Sequence, residues 1–140
     1  LSVSLSNMNN SGVTILICTA VFIAGLILTV DAKAHEMTPT YPKFESSFVS
    51  GVMKTKMRLF NRRNDVKYYE IGVFDSEWKP VPFVTSYKLL QMDYLETVSF
   101  DLYINTKDLS NSTYICSKSK LIKSDVISTG IASRICSKIK

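Results

Sequence analysis

Apolar and charged residues alternate strictly between residues 53 and 59. Met53, Thr55, Met57 and Leu59 fall on one side, and Lys54, Lys56 and Arg58 on the other. A period of two is the signature of a strand with one buried and one solvated face. Asn61, Asn64 and Asp65 then supply a polar turn. Residues 66–74 (VKYYEIGVF) are β-branched and aromatic and predict a second strand. A turn spans residues 75–80, and Pro80 and Pro82 interrupt any ladder there. Residues 87–92 predict a further strand at an edge. Val98, Phe100, Leu102 and Ile104 alternate with Ser99, Asp101 and Tyr103, a second half-buried strand. Residues 105–112 read as a polar loop. Residues 113–122 and 126–138 read as a final hairpin around Lys123, Ser124 and Asp125. No helical stripe survives after Ala34.

The amino-terminal third differs in kind. Residues 13–30 (VTILICTAVFIAGLILTV) carry no charge, and that length is at the lower limit of a membrane-spanning helix. Ala32 and Ala34 give the small-x-small pattern of a signal-peptidase site, with cleavage after Ala34. The alternative is an uncleaved anchor through residues 13–30, the chain's one membrane contact. Both readings export the rest. The expected organisation is therefore a signal peptide or anchor over residues 1–34 and one domain over residues 35–140. Six or seven short strands between turn signals make that domain all-β: a single immunoglobulin-like, seven-strand β-sandwich. Trp78 sits in a turn, unlike the mid-strand tryptophan of antibody domains.

Composition narrows the function. The chain has 140 residues, 46% hydrophobic and 21% charged, with a formal charge of +5. That excess excludes no class of partner. His35 is the one histidine, and neither G-x-G-x-x-G nor a P-loop occurs. An enzyme is not expected, and neither is a metal or a cofactor. Cys18 lies in the apolar run, which leaves Cys116 and Cys136 in the exported part. With no C-x-x-C and no histidine nearby, a structural disulfide is the expectation. Lys54, Lys56, Arg58, Arg62 and Arg63 read as a solvated face rather than a nucleic-acid surface, because no aromatic stripe interleaves with them.

Short motifs carry a resemblance. Residues 57–61 (MRLFN), residues 68–75 (YYEIGVFD), residues 96–102 (ETVSFDL) and Ser133-Arg134-Ile135 with Lys138-Ile139-Lys140 resemble the first domain of periplasmic pilus-assembly chaperones. Some members of that family join their sixth and seventh strands by a disulfide, and Cys116 and Cys136 fall on those strands. The family lends its seventh strand to an unfinished pilin-type subunit and anchors the subunit's terminal carboxylate with basic residues. The resemblance thus implies Ile127, Thr129, Ile131 and Ile135 as donor-strand residues, and Lys43 with Lys138 or Lys140 as carboxylate anchors. It implies a periplasmic protein with a pilin-type partner and an outer-membrane usher as the further partner. Two departures stand out. The family has a second domain beyond this point, and a gapless match puts Cys136 where the family has an anchoring lysine.

The isoleucines at four-residue spacing also fit an ordinary core face, and that reading stays open. So does a second function, a small exported pilin-like or surface structural subunit, in which residues 35–47 would be a donor peptide. A complete last strand favours the chaperone reading; a groove in its place favours the subunit.

Overall fold

The computed structural model describes residues 34–121 and 131–139. The apolar run at 13–30, Ile127, Thr129 and Lys140 lie outside the described residues. Nine strands form within them: β1 (Glu36–Thr38), β2 (Glu45–Ser46), β3 (Val52–Phe60), β4 (Tyr68–Phe74), β5 (Val84–Thr85), β6 (Leu89–Gln91), β7 (Thr97–Asn105), β8 (Tyr114–Lys120) and β9 (Arg134–Lys138). They make two antiparallel sheets, one ordered β1-β3-β7-β5 with β2 also on β3, the other β6-β4-β8-β9. The expected all-β sandwich is present.

The two alternating segments become the longest ladder. β3 and β7 pair over nine residues, from Val52 opposite Asn105 to Phe60 opposite Thr97. Met57 and Leu59 of β3 and Phe100, Leu102 and Ile104 of β7 are buried, while Lys56 and Arg58 face solvent. Tyr69, Ile71 and Val73 of β4 and Ile115 of β8 meet them from the other sheet. Burying each such side chain contributes about 1.5–3 kcal/mol relative to leaving it exposed.

Three expectations need correction. Residues 105–112 are not all loop: Thr106–Leu109 form a one-turn helix, α1, capped by the Asn105 side chain on the Lys107 N–H. Residues 35–47 are not a free donor peptide, because β1 and β2 pair with β3 in the chain's own sheet. The basic face is smaller than expected, because Arg63 is buried. Its neighbours Lys54 and Arg62 pair at the surface with Glu45 and Glu36. No helix among the described residues is long and apolar enough to cross a membrane.

Candidate functional site

β9 is the last strand of its sheet and pairs only with β8 among the described strands. Hydrogen bonds from the Ser119 N–H to the Ser133 carbonyl and from the Ile139 N–H to the Thr113 carbonyl set the phase of this ladder. In an antiparallel pair, bonded and non-bonded positions alternate. Ile135 and Ser137 therefore bond to β8, whereas Arg134, Cys136 and Lys138 turn their backbone groups outward. The Lys138 N–H meets the Thr40 carbonyl at 2.9 Å. Among the described residues no strand pairs with the outward groups of Arg134 and Cys136, and an unpaired strand edge is a template for another strand.

The predicted donor residues divide. Ile135 lies opposite Ser117 and packs, partly buried, against the core. Ile131, just before the strand, is 66% exposed. Cys116 and Cys136 are directly opposite, with Cα atoms 4.0 Å apart, and form a disulfide on the outward face of the sheet. Of the predicted anchors, Lys43 and Lys138 lie among the described residues. Lys43 is exposed and lines a groove of about 840 Å³ with Tyr41, Phe44, Leu109 and Ile139. Lys138, also exposed, lies opposite Tyr114 and is not among the residues lining that groove.

A polar network secures the foot of β9, and sequence reasoning missed it. His35 is fully buried. Its Nε2 is 2.8 Å from Ser117 Oγ, its Nδ1 3.2 Å from Ser133 Oγ, and its ring 4.7 Å from that of Tyr69. Arg63 donates to both carboxylate oxygens of Asp65, at 2.9 and 2.6 Å, and to the Ile131 carbonyl at 3.0 Å. Asn61 donates to the carbonyls of Val66 and Asp93, and its Oδ1 accepts from the Arg63 N–H and the Tyr69 hydroxyl. Such mutual satisfaction is what allows polar groups to be buried at all.

The network's electrostatics follow from burial. Desolvation holds the His35 pKa below its ordinary value, and the positive charge of Arg63 acts in the same direction. The hydrogen bond to Asp65 keeps Arg63 firmly charged. Burial pushes the Tyr69 hydroxyl up to about 12. The His35–Ser117 pair has the distance of a base and nucleophile, but it is sealed from solvent and acts as a tie between β1 and β8. Among the described residues no group of three His, Cys, Asp or Glu side chains is placed to hold a metal ion.

No protein-family model matches the sequence, and no curated protein matches it. Solved structures do match the fold. A structure of the Salmonella enterica SafA pilin in complex with the SafB chaperone matches with a TM-score of 0.56 and 11% identity, over 79% of this chain and 54% of that one. The E. coli chaperone DraB matches with a TM-score of 0.50 and 16% identity, over 76% of this chain and 53% of its own. The chain thus spans about half the length of both. Two antiparallel sheets, a terminal β9 bound to β8 and these two likenesses together give the chain a pilus-assembly chaperone-like fold.

Proposed function

We propose that the domain is a non-catalytic, periplasmic binding module that holds a pilin-type subunit by pairing with it along the open edge of β9. The observation that carries this reading is the outward backbone of Arg134 and Cys136, flanked by the exposed apolar side chain of Ile131. Strand addition of this kind gains affinity from main-chain hydrogen bonds and specificity from alternate side chains. The fold it shares with fimbrial chaperones supports it. Lys43 beside the end groove supplies a cation for a subunit's carboxylate, and an usher would receive the loaded module. The structural-subunit alternative loses its donor peptide, since β1 and β2 complete the chain's own sheet.

Ile131→Asp tests this. A pilin-type subunit lacking its final strand is co-expressed with either form and recovered by affinity pull-down. Capture falls at least about ten-fold while the urea midpoint stays unchanged, because the side chain is exposed. A large drop in the midpoint at constant slope would make Ile131 a packing residue, and unchanged capture would remove it from the edge site.

A further inference from the structure

Residues 131–133 lead the chain into β9, and polar contacts rather than apolar packing hold them. Ile131 and Ala132 are exposed. The Ser133 N–H donates to Ser119 Oγ at 2.7 Å, and the Ser133 carbonyl accepts from the Ser119 N–H at 2.9 Å. Arg63 Nη1 donates to the Ile131 carbonyl at 3.0 Å and to Ser133 Oγ at 3.3 Å. The remaining tie is the contact between Ser133 Oγ and Nδ1 of the buried His35 ring, at 3.2 Å. His35 itself precedes β1, which is paired with β3, and Ser117 lies within β8. The short irregular segment is therefore the part of this cluster with the least to hold it in place.

A count of protons shows what the ring can tolerate. Nε2 lies 2.8 Å from Ser117 Oγ and 3.4 Å from the Ser117 carbonyl, which can only accept. The proton of the neutral ring therefore sits on Nε2, and the bare Nδ1 accepts from the Ser133 hydroxyl. A second proton would fall on Nδ1 and point at Ser133 Oγ. That oxygen already receives an Arg63 N–H, so donors from two cations would converge on one hydroxyl in a site closed to water. Its own hydrogen would have to turn toward Ser119 Oγ, 3.4 Å away. The surrounding charges offer no relief. Asp65 holds Arg63 through both carboxylate oxygens. The Tyr69 hydroxyl, raised to about 12, stays protonated and donates to Asn61. Glu36 of β1 pairs with Arg62 and Glu70 of β4 with Lys120, while Lys118 of β8 and Arg134 of β9, which flank Ser117 and Ser133 in sequence, are further cations.

We propose that His35 is a proton-operated latch on the entry to β9: a second proton on the ring opens residues 131–133, and a subunit bound along the β9 edge leaves through the opened form. The inference rests on the β9-edge reading given above. Ile131, the exposed apolar side chain of that edge, is held by its carbonyl to Arg63, so opening the segment displaces a contact residue and not merely a spacer. The sign follows from burial. The closed ring resists the proton, and the solvated ring of the opened segment takes it up at its ordinary value of 6.5. The latch is therefore at full strength above about pH 6.5 and weakens below it. With one proton involved, the open population rises about ten-fold between about pH 7.5 and about pH 5.5. A release step that passes through the opened form accelerates in the same proportion.

Two measurements test it. The first needs no partner: amide exchange of the Ser133 N–H in the free protein, corrected for the intrinsic pH dependence of exchange. Its protection is level above about pH 6.5 and about ten-fold lower at about pH 5.5, and dilute urea leaves the opening unchanged, which marks it as local. His35→Gln keeps a donor and an acceptor but takes up no proton here, and its profile is flat. The second uses a complex preloaded with a pilin-type subunit lacking its final strand and follows the dissociation rate. Release is about ten-fold faster at about pH 5.5 than at about pH 7.5 in the wild type, and nearly independent of pH in His35→Gln. A flat wild-type exchange profile overturns the latch whether or not the variant folds. So does a fall equally large in His35→Gln, or an opening that depends steeply on urea. A latch that opens while the release rate stays constant overturns its coupling to the edge. Failure to form the complex at either pH contradicts the β9-edge reading instead, and the exchange profile of Ser133 still decides the latch.

Discussion

The β3–β7 ladder and the β8–β9 ladder are both antiparallel, yet they are held in different ways. β3 and β7 are central strands whose inward side chains, Met57, Leu59, Phe100, Leu102 and Ile104, fill the core. β9 contributes one partly buried apolar side chain, Ile135, and is secured by a disulfide and by a polar cluster at its foot. The first ladder rests on the hydrophobic effect, which is indifferent to redox state and nearly indifferent to pH. The second rests on a covalent bond and titratable groups. A strand with little apolar commitment to its own core is free to offer an edge to a partner, and these ties keep β9 in register with β8.

The sharpest way to break the contrast is a core deletion. Leu102 is fully buried between the sheets, so Leu102→Ala lowers global stability by about 2–5 kcal/mol. A urea melt at unchanged slope reads it. A loss below 1 kcal/mol, on the order of a surface change, would mean that the core is not where β3 and β7 place it.

Next comes the disulfide. It closes a loop of 20 residues, and in the chain-entropy description its removal costs about 3 kcal/mol. Cys116→Ser/Cys136→Ser should lower the melt by that much and speed amide exchange in β9 more than in β3 or β7. Equal acceleration everywhere would make β9 an integral part of the core ladder. Two free thiols in freshly prepared, non-reduced protein would remove the bond itself.

The smallest effect is that of pH. Burial holds folded His35 below its ordinary 6.5, with Arg63, Asp65 and Tyr69 as the ionisable groups around it. The unfolded chain therefore takes up a proton first. Its contribution to stability is full above about 6.5 and is lost as the pH falls below that value. Urea midpoints at about pH 7.5 and pH 5.5 should show the loss in the wild type, and a smaller one in His35→Gln. A midpoint that rises on acidification would contradict the buried neutral imidazole.

What the sequence revealed follows the same division. The strands with one wet and one dry face were legible because alternation records their burial: residues 53–59 and 98–104 fall wholly within β3 and β7. The two cysteines announced their pairing through their number and through the absence of a C-x-x-C or a nearby histidine. β1, β2 and β5 are only two or three residues long, and their pairing is decided by neighbours far along the chain, so no local pattern marks them. Arg63 and Asn61 looked like turn residues because their partners, among them Ile131, Ser133 and Asp93, are distant in sequence. The Trp78–Tyr114–Arg134 cluster likewise exists only once register brings β4, β8 and β9 side by side. Trp78 in a turn was the one available signal of it.

The central claim is that β9 offers an open edge to a subunit, and amide hydrogen exchange tests it at single residues. In the free domain the N–H groups of Arg134 and Cys136 should exchange much faster than those of Ile135 and Ser137, which face β8. Addition of a pilin-type subunit lacking its last strand should slow Arg134 and Cys136 selectively and leave β3 and β7 unchanged. Uniform protection along β9 before the subunit is added, or no protection of Arg134 and Cys136 after stable capture, would contradict the account.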